Sequence, residues 1–436
     1  MMFKNNTILG CKKIQRPMIV TGTFIHSLGF GNQQVLTDHA VGVQADGTIA
    51  FVAPKEQMAS LVKKHAFANP TQVELTGSQF CMPGMIDTHV HAPQYTYTGT
   101  GYSLPLLEWL MKYTFPIEAK YSDLEFATDQ YNHAVSRFVK NGTTTACYFA
   151  SIHVDATLAL VDVVANVGQR AYIGKVNMDA NSPDYYREGT SDSVADTIKF
   201  IEAVLAQKHD RVLPIVTPRF VPSCTSHLLS DLGAIAAKYD LPIQSHLCES
   251  KAEICWVKEL HPKEATYTSV YDSFNLLTNK TVMAHCVHMT ESELDLMKLR
   301  DSGIAHCPNS NFSLMSGVMQ LRKTLEKGIK VGLGTDVAGG FHPSILDAAR
   351  HAILASKVVY MDDNTQAPLS YKDAMHIATV GGSEVLGLQD KIGNFIVGKQ
   401  FDALIIDPCV KDSPMDVQTF DTIDDVFEKF VYLGTF

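Results

Sequence analysis

Between Gln79 and Asp336 the chain carries eight short apolar runs, each separated from the next by a stretch long enough to hold a helix. They are "FCMPGMID", "TTACYF", "RAYIGKVNM", "RVLPIVTPRF", "LPIQSHL", "KTVMAHCVH", "GIAHCPNS" and "KVGLGTD". Near-continuous apolar strands alternating with helical patterns indicate parallel βα units, because a strand in a parallel sheet is covered on both faces. The segments between them follow helical spacing: "LEFATDQYNHAVSRFVKNG", "SDSVADTIKFIEAVLAQ", "LLSDLGAIAAKY", "ESELDLMKLRDSG" and "GVMQLRKTLEKG". Gly142, Gly303 and Gly328 each stand where a helix C-cap would precede a strand. Eight such units predict an α/β fold, a (β/α)8 TIM-like barrel over residues 80–394. Its chemistry would sit at the C-terminal ends of the strands.

The flanks read differently. "MIVTGTFIHS" and "AVGVQADGTIAFVA" alternate apolar with small or polar residues, and Asp46-Gly47 marks a hairpin turn. After the helical stretch "SYKDAMHIATVGGSEVLG", the tail "VGKQFDALIID" returns to strand character. Strands before and after the barrel predict one small β-sandwich domain built from both termini, residues 1–79 and 395–436.

Charge and composition narrow the function. A net charge of −10 with no consecutive basic block excludes nucleic-acid backbone binding, which needs a basic patch. The start, "MMFKNNTILGCKK", lacks the apolar core of a signal peptide, and no apolar run is of membrane length. Nine cysteines without a C-x-x-C pair read as reduced thiols, so the expected location is cytoplasmic, without a membrane.

The strand ends carry the chemistry. In "MPGMIDTHVHAPQ", His89 and His91 lie two residues apart on a strand and so share a face. One such pair could be packed core. Run five, however, ends in His246, run six in His285 and run eight in Asp336. Imidazoles and a carboxylate converging from separate strand ends suit zinc or iron rather than calcium or magnesium. Glu249 in "SHLCES" reads either as a cap on the following helix or as a proton shuttle beside the metal mouth. Arg219 and Phe220 in "TPRF" offer a planar donor and a stacking face for a flat ring, and Gln94 can read the edges of the same ring. His288 and His306 could be supporting residues or core packing. His153, His227 and His342 read as surface or structural, and Cys147, Cys248, Cys286 and Cys307 as small buried apolar groups. The apolar "LPLLEWLMKYTF" reads as an ordinary helix over the mouth.

These motifs are recognisable together. The H-x-H pair, "SHLCES", "AHCVH" and "GTD" resemble the amidohydrolase superfamily, while "PLLEW", "TPRF" and "HCPNSN" are similar to stretches of its guanine deaminases, in order, over most of the chain. The resemblance implies a zinc hydrolase with one ion per chain, a homodimer that converts guanine and water to xanthine and ammonia. It implies His89, His91, His246 and Asp336 as metal ligands, Glu249 as acid/base and His285 as hydrogen-bonding the attacking water. Gln94, Arg219 and Phe220 would hold guanine, with His91, His246 and Asp336 also bordering it. Asp336 would take the water proton during attack at C2, and Glu249 would protonate N3. Family members usually continue past "YLG" into a further strand, and this chain ends at "YLGTF", so a small domain short of its last strand is expected. The nearest rival is a deaminase or chlorohydrolase of the same superfamily acting on another heterocycle. A non-catalytic scaffold would have lost ligands. The cytidine-deaminase type is excluded, since no H-x-E is paired with P-C-x-x-C.

Overall fold

The computed structural model describes residues 16–436 and, before them, the short strands Phe3–Lys4 and Thr7–Ile8. Most of the leading stretch, with Cys11 and the reading of a missing signal-peptide core, lies outside the described residues.

All eight apolar runs contain strands, and every pairing among them is parallel. Met85–His91, Thr143–Phe149, Arg170–Gly174 and Val212–Pro214 form one four-stranded sheet. Ile243–Leu247, Thr281–His285, Gly303–His306 and Val331–Leu333 form a second. Two seams join them. Gln244 N–H donates to Val216 O at 2.9 Å beside a Val216–Ile243 bridge. At the other seam Asp336 N–H donates to His89 O at 2.9 Å, and His91 N–H to Val337 O at 3.1 Å. Functional side chains are thus fixed by the hydrogen bonds that hold the strand ends in register.

The five expected helices are present. In Leu124–Lys140 the Asp123 carboxylate caps the N-terminus, accepting from Glu125 and Phe126 N–H. Ala127, Tyr131, Ala134, Val135, Phe138 and Val139 then fall on one buried stripe, the spacing that drives an amphipathic helix onto a sheet. Gly142 and Gly328, with φ of 80° and 74°, turn the chain out of their helices as expected. Gly303 does not. It opens its strand, and the left-handed residue is Asp301, φ 54°. A Cβ at 303 would lie 3.1 Å from Val385 Cγ1, so glycine serves close packing there.

The flanking strands build a separate six-stranded sheet in which Ala403–Ile406 pairs with Phe80–Pro83, then Met18–Gly29, Asn32–Val43 and Ile49–Pro54, with Thr71–Glu74 on Met18–Gly29. The Asp46-Gly47 turn closes the hairpin, with Gly47 at φ 91°. Both faces are covered: Val20, Phe24 and Val41 pack on one, Ile19, Ala40 and Phe51 on the other. The strand character expected of "VGKQFDALIID" is present in Ala403–Ile406, and beyond it the chain forms an element the sequence reading did not assign. Thr422 and Asp425 form a capping box, and Ile423–Leu433 is a helix. Its Phe427 and Phe430 meet Phe80 edge-on, and Arg350 of the helix Ile345–Asp363 donates to Val431 O at 2.7 Å.

Candidate active site

His89 and His91 project from the same face of their strand, as their spacing requires, toward Asp336 and His246. His89 Nε2 lies 3.0 Å from Asp336 Oδ1, and His91 Nε2 lies 3.1 Å from His246 Nε2 and 3.4 Å from Asp336 Oδ1. One ligand atom from each of the four residues lies within 4.8 Å of all the others. Burial holds the His91 and His246 rings well below the usual imidazole pKa, with neighbouring histidines adding to the effect. Neutral imidazoles are the form that binds a cation. Two facing imidazole nitrogens in a dry site, with a carboxylate beside them, are the donor set a divalent ion needs. His246 Nδ1 donates to Arg219 O at 2.6 Å, which leaves Nε2 free to face the cluster.

The carboxylates are differentiated by their surroundings. Burial pushes Asp336 up, but His89, then His285 and His91, hold it well below the ordinary carboxylate range. Glu249 is pushed up to about 7 by burial, against the pull of His285. Its Oε1 accepts from Ser316 Oγ at 2.9 Å and its Oε2 lies 3.4 Å from His285 Nε2. His285 Nδ1 is tied to Asn311 Oδ1 at 2.9 Å, so Nε2 points between Glu249 and Asp336. The two readings of Glu249 separate here. Ser250 caps the following helix, and Glu253 completes the capping box, so Glu249 is free of that duty.

Several of these side chains ride on left-handed backbone: His285 at φ 72°, Asp336 at 48° and Cys248 at 50°. For non-glycine residues this is strain of order 1–3 kcal/mol each, and it concentrates at the strand ends where the polar groups converge. Asp87 braces the same region. Its carboxylate accepts from Thr335 Oγ1 at 2.5 Å and from the N–H groups of Thr335 and His89, tying the first and last strand ends together.

A partly open pocket lies over this cluster, lined by polar groups on one side and apolar side chains on the other. Gln94, Arg219, Phe220, His246, Glu249, His285 and Asp336 all line it, with His91, while His89 lies behind. Leu106, Trp109 and Leu110 form its apolar wall. They belong to residues 106–118, where two short helices flank a wider π turn at Leu110–Thr114 instead of forming the one ordinary helix expected.

Arg219 does not stand alone. Its guanidinium forms a two-pronged ion pair with Glu118, at 2.6 and 3.1 Å, and lies over the Phe115 ring. Glu118, Trp109, Asn311 and Ser316 are site residues the sequence did not single out. For Asn311 the "HCPNSN" motif was the available signal; for Glu118 there was none beyond a charge inside an apolar stretch. His288 is a brace, bonded to Ser316 O at 2.7 Å. His306 is fully buried, pushed down to about 3 by burial, and makes no hydrogen bond through its ring among the described residues. His227 and His342 are exposed and His153 is partly buried, while Cys147, Cys248, Cys286 and Cys307 are buried free thiols.

Fold and site together define a parallel α/β protein with a candidate metal centre at the C-terminal ends of its strands. Residues 80–432 match the amidohydrolase family, and the chain belongs to it. Within that family it is similar to the guanine deaminase of Dictyostelium discoideum, 47% identical over 95% of this chain and 94% of that one. The guanine deaminase of Mus musculus is 48% identical over 96% and 93%. A crystal structure of guanine deaminase from C. acetobutylicum with guanine bound in the active site superposes with a TM-score of 0.88 at 38% identity, covering 96% of each chain.

Proposed function

We propose that this protein hydrolyses guanine to xanthine and ammonia. The reading is carried by one observation: a single small cavity brings together the histidine–aspartate cluster, a carboxylate with a pKa near 7, and the Arg219, Phe220 and Gln94 side chains suited to a flat ring. The named guanine deaminases similar to this chain over nearly its whole length support the substrate.

His89, His91, His246 and Asp336 would hold one zinc ion. Such an ion supplies acidification of water at neutral pH. Arg219 and Gln94 orient the ring by its carbonyl and ring nitrogens, and Phe220 supplies a face for stacking. Asp336, kept ionised by its histidine neighbours, accepts the proton of the attacking water as oxygen adds to C2. His285 Nε2, aimed between Glu249 and Asp336, hydrogen-bonds the incoming oxygen. Glu249, raised toward neutrality by burial, can carry a proton and deliver it to N3, so that charge does not build on the ring. Asp336 then passes its proton to the amino group, and the C2–N bond breaks to release ammonia. The hydroxyl proton at C2 returns to Glu249, which leaves the C2 carbonyl of xanthine and restores both carboxyl groups.

The two parallel sheets close into one (β/α)8 barrel in this reading, supported by the hydrogen bonds at both seams. The barrel occupies residues 80–394 and a small β domain of sandwich type is drawn from 1–79 and 395–436, supported by the sheet that joins Met18–Gly29 to Ala403–Ile406. The strand between them, Phe80–Pro83, belongs to that sheet, so the boundary falls a few residues later, before Met85. A cytoplasmic homodimer fits the free thiols of the described cysteines and the exposed apolar stripe of Leu354, Val358 and Met361. No helix among the described residues is long and apolar enough to cross a membrane. Ammonia release measured across guanine, adenine, cytosine and guanosine tests the proposal. Turnover of guanine alone supports it, and preference for another base rejects it.

A further inference from the structure

The Glu118 side chain has no exposure to solvent, and its two oxygens accept four hydrogen bonds. Oε1 takes one from Gln94 Nε2 at 2.9 Å and one from Arg219 Nη2 at 3.1 Å. Oε2 takes one from Arg219 Nη1 at 2.6 Å and one from the Tyr186 hydroxyl at 2.8 Å. The Gln94 amide is thereby fixed end to end, since its Oε1 accepts from Ala338 N–H at 3.3 Å. Arg219 spends two of its five N–H donors on Glu118, with Phe115 against its plane, and keeps three for other partners. The carboxylates that line the cavity are engaged elsewhere, Glu249 with Ser316, Glu253 with Tyr267 and Asp336 with His89. Glu118 is therefore the group that balances the Arg219 charge.

We propose that Glu118 is a positioning residue that sets both the geometry and the charge of the ring-reading pair. It holds Arg219 and Gln94 in one arrangement and cancels the guanidinium charge, so that the pocket favours a neutral purine over an anionic one. The inference rests on the reading of Arg219 and Gln94 as the groups that hold guanine. A buried, unbalanced arginine would attract anions strongly, because water is not there to screen it. The product gives the natural probe, since xanthine is more acidic than guanine and carries a growing share of monoanion above neutral pH.

The experiment measures kcat and KM for guanine, and inhibition by xanthine at neutral and mildly alkaline pH, on the metal-loaded enzyme. The variants are Glu118→Gln, Glu118→Asp, Arg219→Gln and the Glu118→Gln/Arg219→Gln double variant. Glu118→Gln is expected to lose about 10²-fold in kcat/KM, mostly through KM, as misplacement of orienting groups does. Xanthine should inhibit it more tightly than the parent, and the gain should grow with pH. Glu118→Asp keeps the charge but shortens the arm, so the KM for guanine should rise while xanthine inhibition stays at the parent level. In the Arg219→Gln background, Glu118→Gln should raise KM by far less than it does in the parent, since only the Gln94 contact is left to disturb. A parent-like KM in Glu118→Gln, or a loss confined to kcat with xanthine inhibition unchanged, overturns the inference. Should Glu118→Gln not fold, an unchanged KM in Glu118→Asp overturns it instead. Parent-like KM in Arg219→Gln would reject the underlying reading of the pocket rather than the role of Glu118.

Discussion

Replacing Glu249 with glutamine should make the protein more stable and nearly inactive at once. In the folded chain burial raises this carboxyl from an ordinary value near 4.5 to about 7. The folded state thus binds more protons than the unfolded state between those values, and stability falls as pH rises through that window. Above pH 7 the ionised, buried group costs about 3 kcal/mol, since each pH unit separating the folded and unfolded values is worth about 1.4 kcal/mol. Glutamine removes that charge, preserves the shape, and its carbonyl can still accept from Ser316 Oγ. The Ser250–Glu253 capping box is untouched, so no helix end is lost. Metal-stripped Glu249→Gln should therefore unfold at a higher denaturant midpoint than the parent at pH 8, and at a similar one at pH 4.5. Metal-loaded, it should lose about 10²–10⁴-fold in kcat, the usual contribution of a general acid. Near-parental kcat with a lowered midpoint would refute the reasoning and return Glu249 to a structural role.

Two further outcomes follow from the same geometry. Elemental analysis of purified protein should find about one zinc per chain, as the one three-histidine, one-aspartate set among the described residues allows, and chelation should abolish turnover reversibly; two ions per chain would contradict it. His376, bonded to Ser27 and buried in the seam between the small sheet and the barrel helices, is pushed down to about 4 by burial. Its folded pKa lies below the unfolded value of 6.5, so stability is lost as pH falls through that interval, by about 3 kcal/mol. Unfolding midpoints of His376→Gln and parent should diverge on acidification from about 6.5 to about 4, and parallel curves would rule the contribution out.

The parts of the fold legible in the sequence were those set by local pattern. The eight apolar runs and the stripe on Leu124–Lys140 carry their own period, and the H-x-H spacing fixes a shared face without knowledge of any neighbour. What the sequence hid depends on contacts between distant segments. Gly303 looked like a cap because it follows a helix, yet what demands glycine is Val385, far along the chain. The 423–433 helix follows a strand-like tail, and its apolar stripe is explained only by Phe80 and its neighbours. Within the site, the histidines announced themselves by position at strand ends. Glu118 did not, because its meaning comes from Arg219 and Gln94, distant in the chain, behind which it is buried.

Oxygen-18 labelling tests the central claim most directly. Metal-loaded enzyme turning over guanine in heavy-oxygen water should yield xanthine carrying one label at C2 for every ammonia released, with the label absent from the Glu249→Gln reaction over the same interval. Ammonia formed without label in the product, or no ammonia from guanine while another heterocycle is consumed, would contradict hydrolytic attack at C2 in this pocket.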